Sequence, residues 1–393
     1  MKVLIDCRGV NRVEDGLSIY ILNLVEHLPV ADPGARFILI IRPEPDLHPR
    51  LARLRDTGTV DAVVLDAPFM RPTQHWQVAG VIRRLGGVDV YHYPHFDLPA
   101  LMPVPAVITM TDVNYFTIRK YFSAMGLSQL KRVYSMLASY LACTRAKEIL
   151  ALSKHTAESV RRIVGRRVEN RITVTPCAVD AMLLPPFVDL DGSIEGSPPS
   201  PSGSTVVGRN GWGPYLLYVG TDRYHKNLER LLTAFHSAIQ TTDEPWRLFL
   251  VGSMQSASQA RTDQVVRSMK LENRIVRLGY LSRERLTELY RHAGALCLCS
   301  LCEGFGLPVL EAMHYGVPVI ASSTGATSEV AGGAALLADP LSVDEIAECM
   351  ARIMGDSGLR AELCRKGRDR ARSYSWEETA KTTAAVYRRV AGK

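Results

Sequence analysis

The chain has 393 residues, of which 47% are hydrophobic and 22% charged, with a net charge of +7. That balance excludes a disordered or fibrous chain, and the length exceeds what one core organises, so two domains of similar size are expected. The longest apolar runs are strand length, which argues against a membrane-spanning helix, and no nucleic-acid motif accompanies the positive charge. Met1 opens directly onto a strand rather than a signal peptide, and cysteines such as Cys7, Cys143 and Cys349 sit in apolar stretches. Both features fit a cytoplasmic, reducing setting.

Strand-like runs alternate with helical ones along the first half: Val3–Asp6, Phe37–Ile41, Ala62–Leu65, Val88–Tyr91, Val107–Met110 and Ile149–Leu152. This alternation predicts a parallel, doubly wound sheet, whose ligands bind beyond the carboxyl ends of the strands. After the first run, Gly16 in Asn11-Arg-Val-Glu-Asp-Gly-Leu-Ser18 either lets backbone approach a ligand or ends a turn before a helix from Leu17 to His27. Arg12 in the same loop is a candidate for meeting a phosphate. His95, in Tyr93-Pro-His-Phe96, is a candidate substrate contact or an ordinary loop histidine. Asp112, after Thr111 at the end of the fifth run, either orients hydroxyl groups or caps the next turn. Ser153, two residues before His155, reads equally as part of a binding pattern or as a helix N-cap.

From Arg119 to Lys147 the chain has six basic and no acidic residues, interleaved with large apolar ones. The stretch reads either as an amphipathic face for an anionic membrane or as packed helices with solvated basic sides. Arg161, Arg162, Arg166, Arg167 and Arg171 add to the charge. Residues 185–214, rich in Pro, Gly and Ser, cannot build a packed core and read as a flexible linker or insertion.

The strand pattern restarts at Tyr215–Val219 and continues at Leu248–Val251, Ile275–Leu278, Ala295–Cys299 and Val319–Ala321, predicting a second sheet. His292, Cys297, Cys299 and Cys302 can be written as a zinc set, but Cys297 and Cys299 share one face of a strand and read as small buried hydrophobes. The segment Glu303-Gly-Phe-Gly-Leu-Pro-Val-Leu-Glu311 places two carboxylates around a glycine-rich helix start. Gly304 and Gly306 leave room for a diphosphate at the helix N-terminus, where unpaired N–H groups and the dipole favour an anion. The two acids then suit the hydroxyls of a ribose or hexose. Trp376, after Ser375, reads as a buried anchor of a capped helix.

The Glu303–Glu311 block, with Tyr215-Leu-Leu-Tyr-Val-Gly-Thr-Asp-Arg-Tyr-His-Lys-Asn-Leu-Glu-Arg230 upstream, resembles the retaining glycosyltransferases of family 4. The resemblance implies the GT-B fold: two Rossmann-like, doubly wound parallel-sheet domains facing across a cleft. Residues 1–184 would be the acceptor-binding domain, 215–374 the nucleotide-sugar domain, and 375–393 a helix crossing back to the first. It implies that Glu303 contacts the transferred sugar, that Glu311 binds the ribose hydroxyls and that Lys226 holds the diphosphate. Gly16, Thr221, Gly304, Phe305, Gly306, Leu307 and Tyr280 would border the donor, Asp112 would face the transferred sugar and His95 the acceptor. Thr221 stands where many members have arginine, His225-Lys226 replaces an Arg-Lys pair, and Thr111 replaces a histidine. Arg223 is the candidate for the second phosphate cation, since guanidinium binds phosphate bidentately.

The segment Gly220-Thr-x4-Lys-Asn227 resembles bacterial mannosyltransferases, which makes GDP-mannose the leading donor. The implied reaction is front-face substitution, with positioning and electrostatics as the main contribution, no metal and no other cofactor. Expected partners are the nucleotide sugar and a sugar, lipid-linked or small-molecule acceptor, with membrane contact through residues 119–147. The alternatives are a UDP-sugar-dependent transferase acting on a soluble acceptor and a catalytically silent nucleotide-sugar-binding protein.

Overall fold

The computed structural model describes residues 1–67, 74–100, 102–118, 128–180, 213–253 and 256–393. The stretch 119–127 and nearly all of 185–214 lie outside the described residues. The chain forms two compact units, one from Met1–Thr117, Gln129–Cys177 and Ser375–Lys393, the other from Ile118–Ser128 and Ala178–Tyr374.

In the first unit the described strands are β1 (Lys2–Asp6), β2 (Arg36–Ile41), β3 (Asp61–Val64), β4 (Val90–Tyr93), β5 (Ala106–Met110), β6 (Glu148–Ala151) and β7 (Ile172–Val174). They pair in parallel in the order β3-β2-β1-β4-β5-β6-β7. Helices flank such a sheet on both faces, so its strands read as continuous apolar runs rather than alternating ones. Leu4, Ile40, Tyr91, Ile108 and Ile149 are accordingly fully buried. β4 begins two residues later than the apolar run suggests, because Asp89 is spent before it. Its carboxylate accepts from the backbone N–H of Lys2 at 2.7 Å and from Lys393 Nζ at 2.9 Å.

The chain's last helix, Trp376–Ala391, belongs to this unit. The Ser375 hydroxyl caps it by accepting from Glu377 N at 3.1 Å, and buried Trp376 lies 6.1 Å from the Tyr20 ring. Further along, Tyr387 Oη meets His92 Nδ1 at 2.6 Å, His92 Nε2 meets Thr109 Oγ1 at 2.8 Å, and Tyr20 Oη meets the same hydroxyl at 3.0 Å. Burial drives the His92 imidazole down to about 3, so it stays neutral at physiological pH.

The second unit contains β8 (Tyr215–Val219), β9 (Arg247–Val251), β10 (Ile275–Gly279), β11 (Ala295–Leu298), β12 (Val319–Ser322) and β13 (Leu336–Ala338). They too are parallel, in the order β10-β9-β8-β11-β12-β13. Cys297 and Cys299 are buried in and just after β11, and burial pushes both thiols up, as expected of packing residues. β7 and β13, three residues each, escape the sequence reading because so few residues show no period. In each sheet the strand order reverses once, between β1 and β4 and between β8 and β11. At such a reversal neighbouring strands send their loops to opposite sides, which leaves a crevice at their carboxyl ends.

Candidate functional site

At the β8/β11 reversal, a short 3-10 turn, Tyr224–Lys226, leads into Asn227 and the helix Leu228–Ala238. Asn227 adopts the left-handed conformation, φ 61°, which asparagine tolerates better than most side chains. Its buried amide donates to Cys299 O at 2.9 Å and Pro340 O at 2.6 Å, tying the turn to the loops after β11 and β13. Leu301 N adds a backbone bond to His225 O at 2.7 Å. The turn therefore has one position, and it carries Lys226 to Glu303, where Nζ donates to Oε1 at 2.7 Å.

Both members of that pair are largely buried, at 16% and 11% side-chain exposure, so their attraction is only partly screened. Burial raises the Glu303 carboxyl, but the charge and hydrogen bond of Lys226 more than reverse this, leaving it below the ordinary value. His225 is driven down to about 4 by burial and is neutral beside them. The loop after β9 packs against Gly220 at the end of β8, and only glycine fits there. A Cβ at Gly252, φ +130°, would lie 2.1 Å from Gly220 O.

The helix Leu307–His314 starts from Gly306, φ 100°, with Pro308 in its first turn. Glu311 lies one turn in, 6% exposed, and accepts from Tyr290 Oη at 2.9 Å. Burial raises its carboxyl, against the pull of Tyr290 and of Arg283, which itself pairs with Asp180 at 3.3 Å. Of the other expected donor residues, Thr221 offers its carbonyl to Tyr218 Oη at 2.6 Å, and Arg223 and Tyr280 are exposed. Gly304 is buried, Leu307 is half-buried, and Phe305 packs edge-on to Tyr374 at 5.7 Å.

At the β1/β4 reversal of the first unit, Gly16 is the exposed first residue of the helix Gly16–Ala31, whose N-cap Asp15 accepts from Ser18 N at 2.9 Å. Arg12 is exposed. His95 leaves β4 with Nδ1 held 2.7 Å from Asp97 Oδ1. Asp97 is 2% exposed and also accepts from Tyr93 Oη at 2.8 Å and Gln74 Nε2 at 3.0 Å, so the imidazole is oriented rather than loose. Asp112 accepts from Asn114 N at 3.0 Å and so caps the turn into the helix Asn114–Thr117. Beneath the crevice lies a fully buried ion pair: Arg8 meets Asp6 bidentately at 2.9 and 2.6 Å, and Tyr91 Oη donates to the same carboxylate at 2.9 Å.

The structure thus brings Lys226 and Glu303 into contact and places Glu311 in the following helix. Asp97 and Arg283 are the site-shaping residues that sequence reasoning passed over, whereas Asn227 stands in the motif it picked out. Asp97, two residues after His95, left a spacing signal; Arg283, on a different element from Glu311, left none.

Residues 205–370 match the family model described as glycosyl transferases group 1, and residues 15–182 match that of glycosyltransferase family 4. O-antigen chain mannosyltransferase B of Escherichia coli is 31% identical over 303 residues, 76% of this chain and 74% of that protein. The chain belongs to glycosyltransferase family 4. Another member, an MMP alpha-(1->4)-mannosyltransferase from Mycolicibacterium hassiacum, is 35% identical over 130 residues, 32% of each chain. Among solved structures, the sucrose-phosphate synthase of Thermosynechococcus elongatus superposes with a TM-score of 0.73 at 19% identity over 99% of this chain and 98% of that one. Anabaena HepE in complex with UDP and glucose gives 0.69 at 18% identity, covering 98% of both. These likenesses establish the GT-B fold of a glycosyltransferase.

Proposed function

We propose that the protein transfers a hexose from a nucleotide sugar to a hydroxyl acceptor with retention, with GDP-mannose as the favoured donor, during cell-surface polysaccharide or glycolipid assembly. The observation that carries this reading is the Lys226–Glu303 pair at the β8/β11 reversal, beside the glycine-rich start of the helix Leu307–His314. Lysine has three N–H donors and Glu303 uses one, so the ammonium can hold a diphosphate while staying paired. As the glycosidic bond breaks, charge moves onto the departing diphosphate. Lys226 and the helix N-terminus are in place to stabilise it, and no metal is invoked.

In this reading Glu303, kept ionised, orients the transferred sugar, and Glu311 binds the ribose diol. No carboxylate nucleophile paired with a general acid is assigned, so the departing phosphate itself accepts the acceptor's proton. His95 contacts the acceptor, its ring set by Asp97. The mannosyltransferase relatives support mannose as the sugar.

A thermal-shift screen with UDP, GDP, ADP and their sugar conjugates tests the donor. Ligand at ~100 times its dissociation constant adds about 2.7 kcal/mol to stability. The expected result is a selective response to GDP and GDP-mannose that is reduced in Glu311→Gln, a change that leaves Tyr290 an acceptor. A selective response to UDP would replace the donor assignment. Selective binding with no turnover by any acceptor extract would point to the silent binding protein, and no response to any nucleotide would remove the transferase mechanism.

A further inference from the structure

We propose that Tyr290 is a positioning residue, which fixes the Glu311 carboxylate so that one of its oxygens reads the hydroxyls of a ribose. The inference rests on the assignment of Glu311 to the ribose diol and deepens it. It names the residue that makes the site select ribonucleotides over deoxyribonucleotides.

A glutamate side chain is long and freely rotatable, and holding it in one place costs rotamer entropy. Glu311, 6% exposed in the helix Leu307–His314, is held from the neighbouring helix, Arg283–His292. There the Tyr290 hydroxyl donates to Oε2 at 2.9 Å. Tyr290 is itself fixed: it is 1% exposed, and its ring stacks on Tyr315 at 5.6 Å with 17° between the planes. Tyr315 Oη in turn lies 3.1 Å from Thr287 Oγ1, one turn before Tyr290 on the same helix. Tyr315 N also donates to Glu311 O at 3.1 Å, so the residue that braces the phenol is tied to the backbone of the glutamate that the phenol serves. Among the described residues Tyr290 is the hydrogen-bond donor to this carboxylate, and it takes Oε2, which leaves Oε1 for a ligand.

The bond has a fixed sense. Burial and the Glu311 charge push the Tyr290 hydroxyl well up, so it keeps its proton and stays the donor. Burial also raises the Glu311 carboxyl, while the bond from Tyr290 and then Arg283 hold it down, and Asp180 adds to the rise. Tyr315 faces the same carboxylate, whereas His314 on that helix faces Arg368 and Arg372. An ionised carboxylate only accepts hydrogen bonds, and ribose hydroxyls meet it as donors. A phenol fixes that acceptor without cancelling its charge, as a paired guanidinium would. A 2′-deoxyribose lacks one of the two hydroxyls and gains less from the arrangement.

Isothermal titration with GDP, 2′-deoxy-GDP, UDP and 2′-deoxy-UDP tests this on wild type, Tyr290→Phe, Glu311→Gln and the double variant. Wild type should prefer the ribonucleotide of one pair by about tenfold or more. Tyr290→Phe keeps the ring and its stacking, and it should cut that preference to about threefold or less through weaker ribonucleotide binding alone. The unchanged deoxynucleotide affinity is the control for the fold. As the pH falls, the ratio of the two affinities should drop at a higher pH in Tyr290→Phe than in wild type, because Glu311 has lost the bond that favours its ionised form. In the Glu311→Gln background the Tyr290 change should add little, as expected of a residue that acts through Glu311. A Tyr290→Phe protein with the wild-type preference and pH profile overturns the proposal. So does one that loses both members of a pair alike, which would make Tyr290 a support of the fold. Equal binding of ribo- and deoxynucleotide by wild type would remove the Glu311 assignment itself, and the role of Tyr290 with it.

Discussion

The two strand-order reversals handle charge in opposite ways. At β8/β11 the charged pair is partly exposed, and the turn bearing it is pinned by Asn227 and Leu301. At β1/β4 the charge is sealed: Asp6 and Arg8 are fully buried, and their strongest contacts are with each other and Tyr91. A pair reachable by solvent can exchange part of its interaction for a ligand's, whereas a sealed pair only holds the strand ends in shape. On the proposed function, the second unit would meet the donor's diphosphate, and the first would present oriented but internally neutralised groups to a hydroxyl acceptor.

The sharpest way to break this comparison is to treat both pairs alike. Arg8→Met leaves the Asp6 carboxylate buried without a cation and should destabilise the protein by about 3–5 kcal/mol, read by denaturant unfolding. The double change with Asp6→Asn should recover much of that loss. Lys226→Ala should cost less stability than Arg8→Met, because its pair is the less deeply buried of the two, and on the proposed mechanism it should lower transfer activity by about 10²–10³-fold through lost charge stabilisation of the leaving group. If Arg8→Met proved harmless to stability, the structural role of the sealed pair would be lost.

Acid sharpens the contrast further, since each unit has a buried neutral histidine. His92 is lowered to about 3 and His225 to about 4, while both titrate near 6.5 in an unfolded chain. Between those values the unfolded state binds the extra protons. Stability is therefore complete above about pH 6.5 and falls as the pH drops towards 4, by up to about 3 kcal/mol per histidine. Unfolding followed between pH 7 and 4.5 should show the decline, and His225→Asn should flatten part of it while leaving the His92 share.

The smallest effect is expected at Gly16. It opens a helix with open space around its missing Cβ, so Gly16→Ala should be neutral or raise stability by about 0.5–1 kcal/mol. Activity lost without stability would then report close approach of a ligand to that backbone. Unchanged activity would leave Gly16 as a helix start alone.

The same contrast explains what could be read in advance. Sheet strands buried on both faces leave continuous apolar runs, so Tyr215–Val219 is read to the residue, and Val88–Tyr91 is misplaced by two only because Asp89 is drawn off by Lys2. In the second unit, loop geometry forces glycines and asparagine at fixed spacings, and those spacings are visible as a motif. In the first, His95 gains its orientation from Asp97, Tyr93 and Gln74, and Gln74 comes from another element. Such contacts exist only after folding.

The first unit is closed by Ser375–Lys393, residues made only after the whole of Ala178–Tyr374. Translation proceeds from the N-terminus, and domains generally fold as they emerge. The unit made first is therefore the unit finished last. Until the helix Trp376–Ala391 has emerged, His92 lacks Tyr387, Tyr20 lacks Trp376, and their surroundings stay open to water and to other nascent chains. The segment Ala178–Tyr374, by contrast, has been synthesised before that helix is made. A premature stop after Tyr374 would accordingly harm the distant N-terminal unit rather than the one in which it falls.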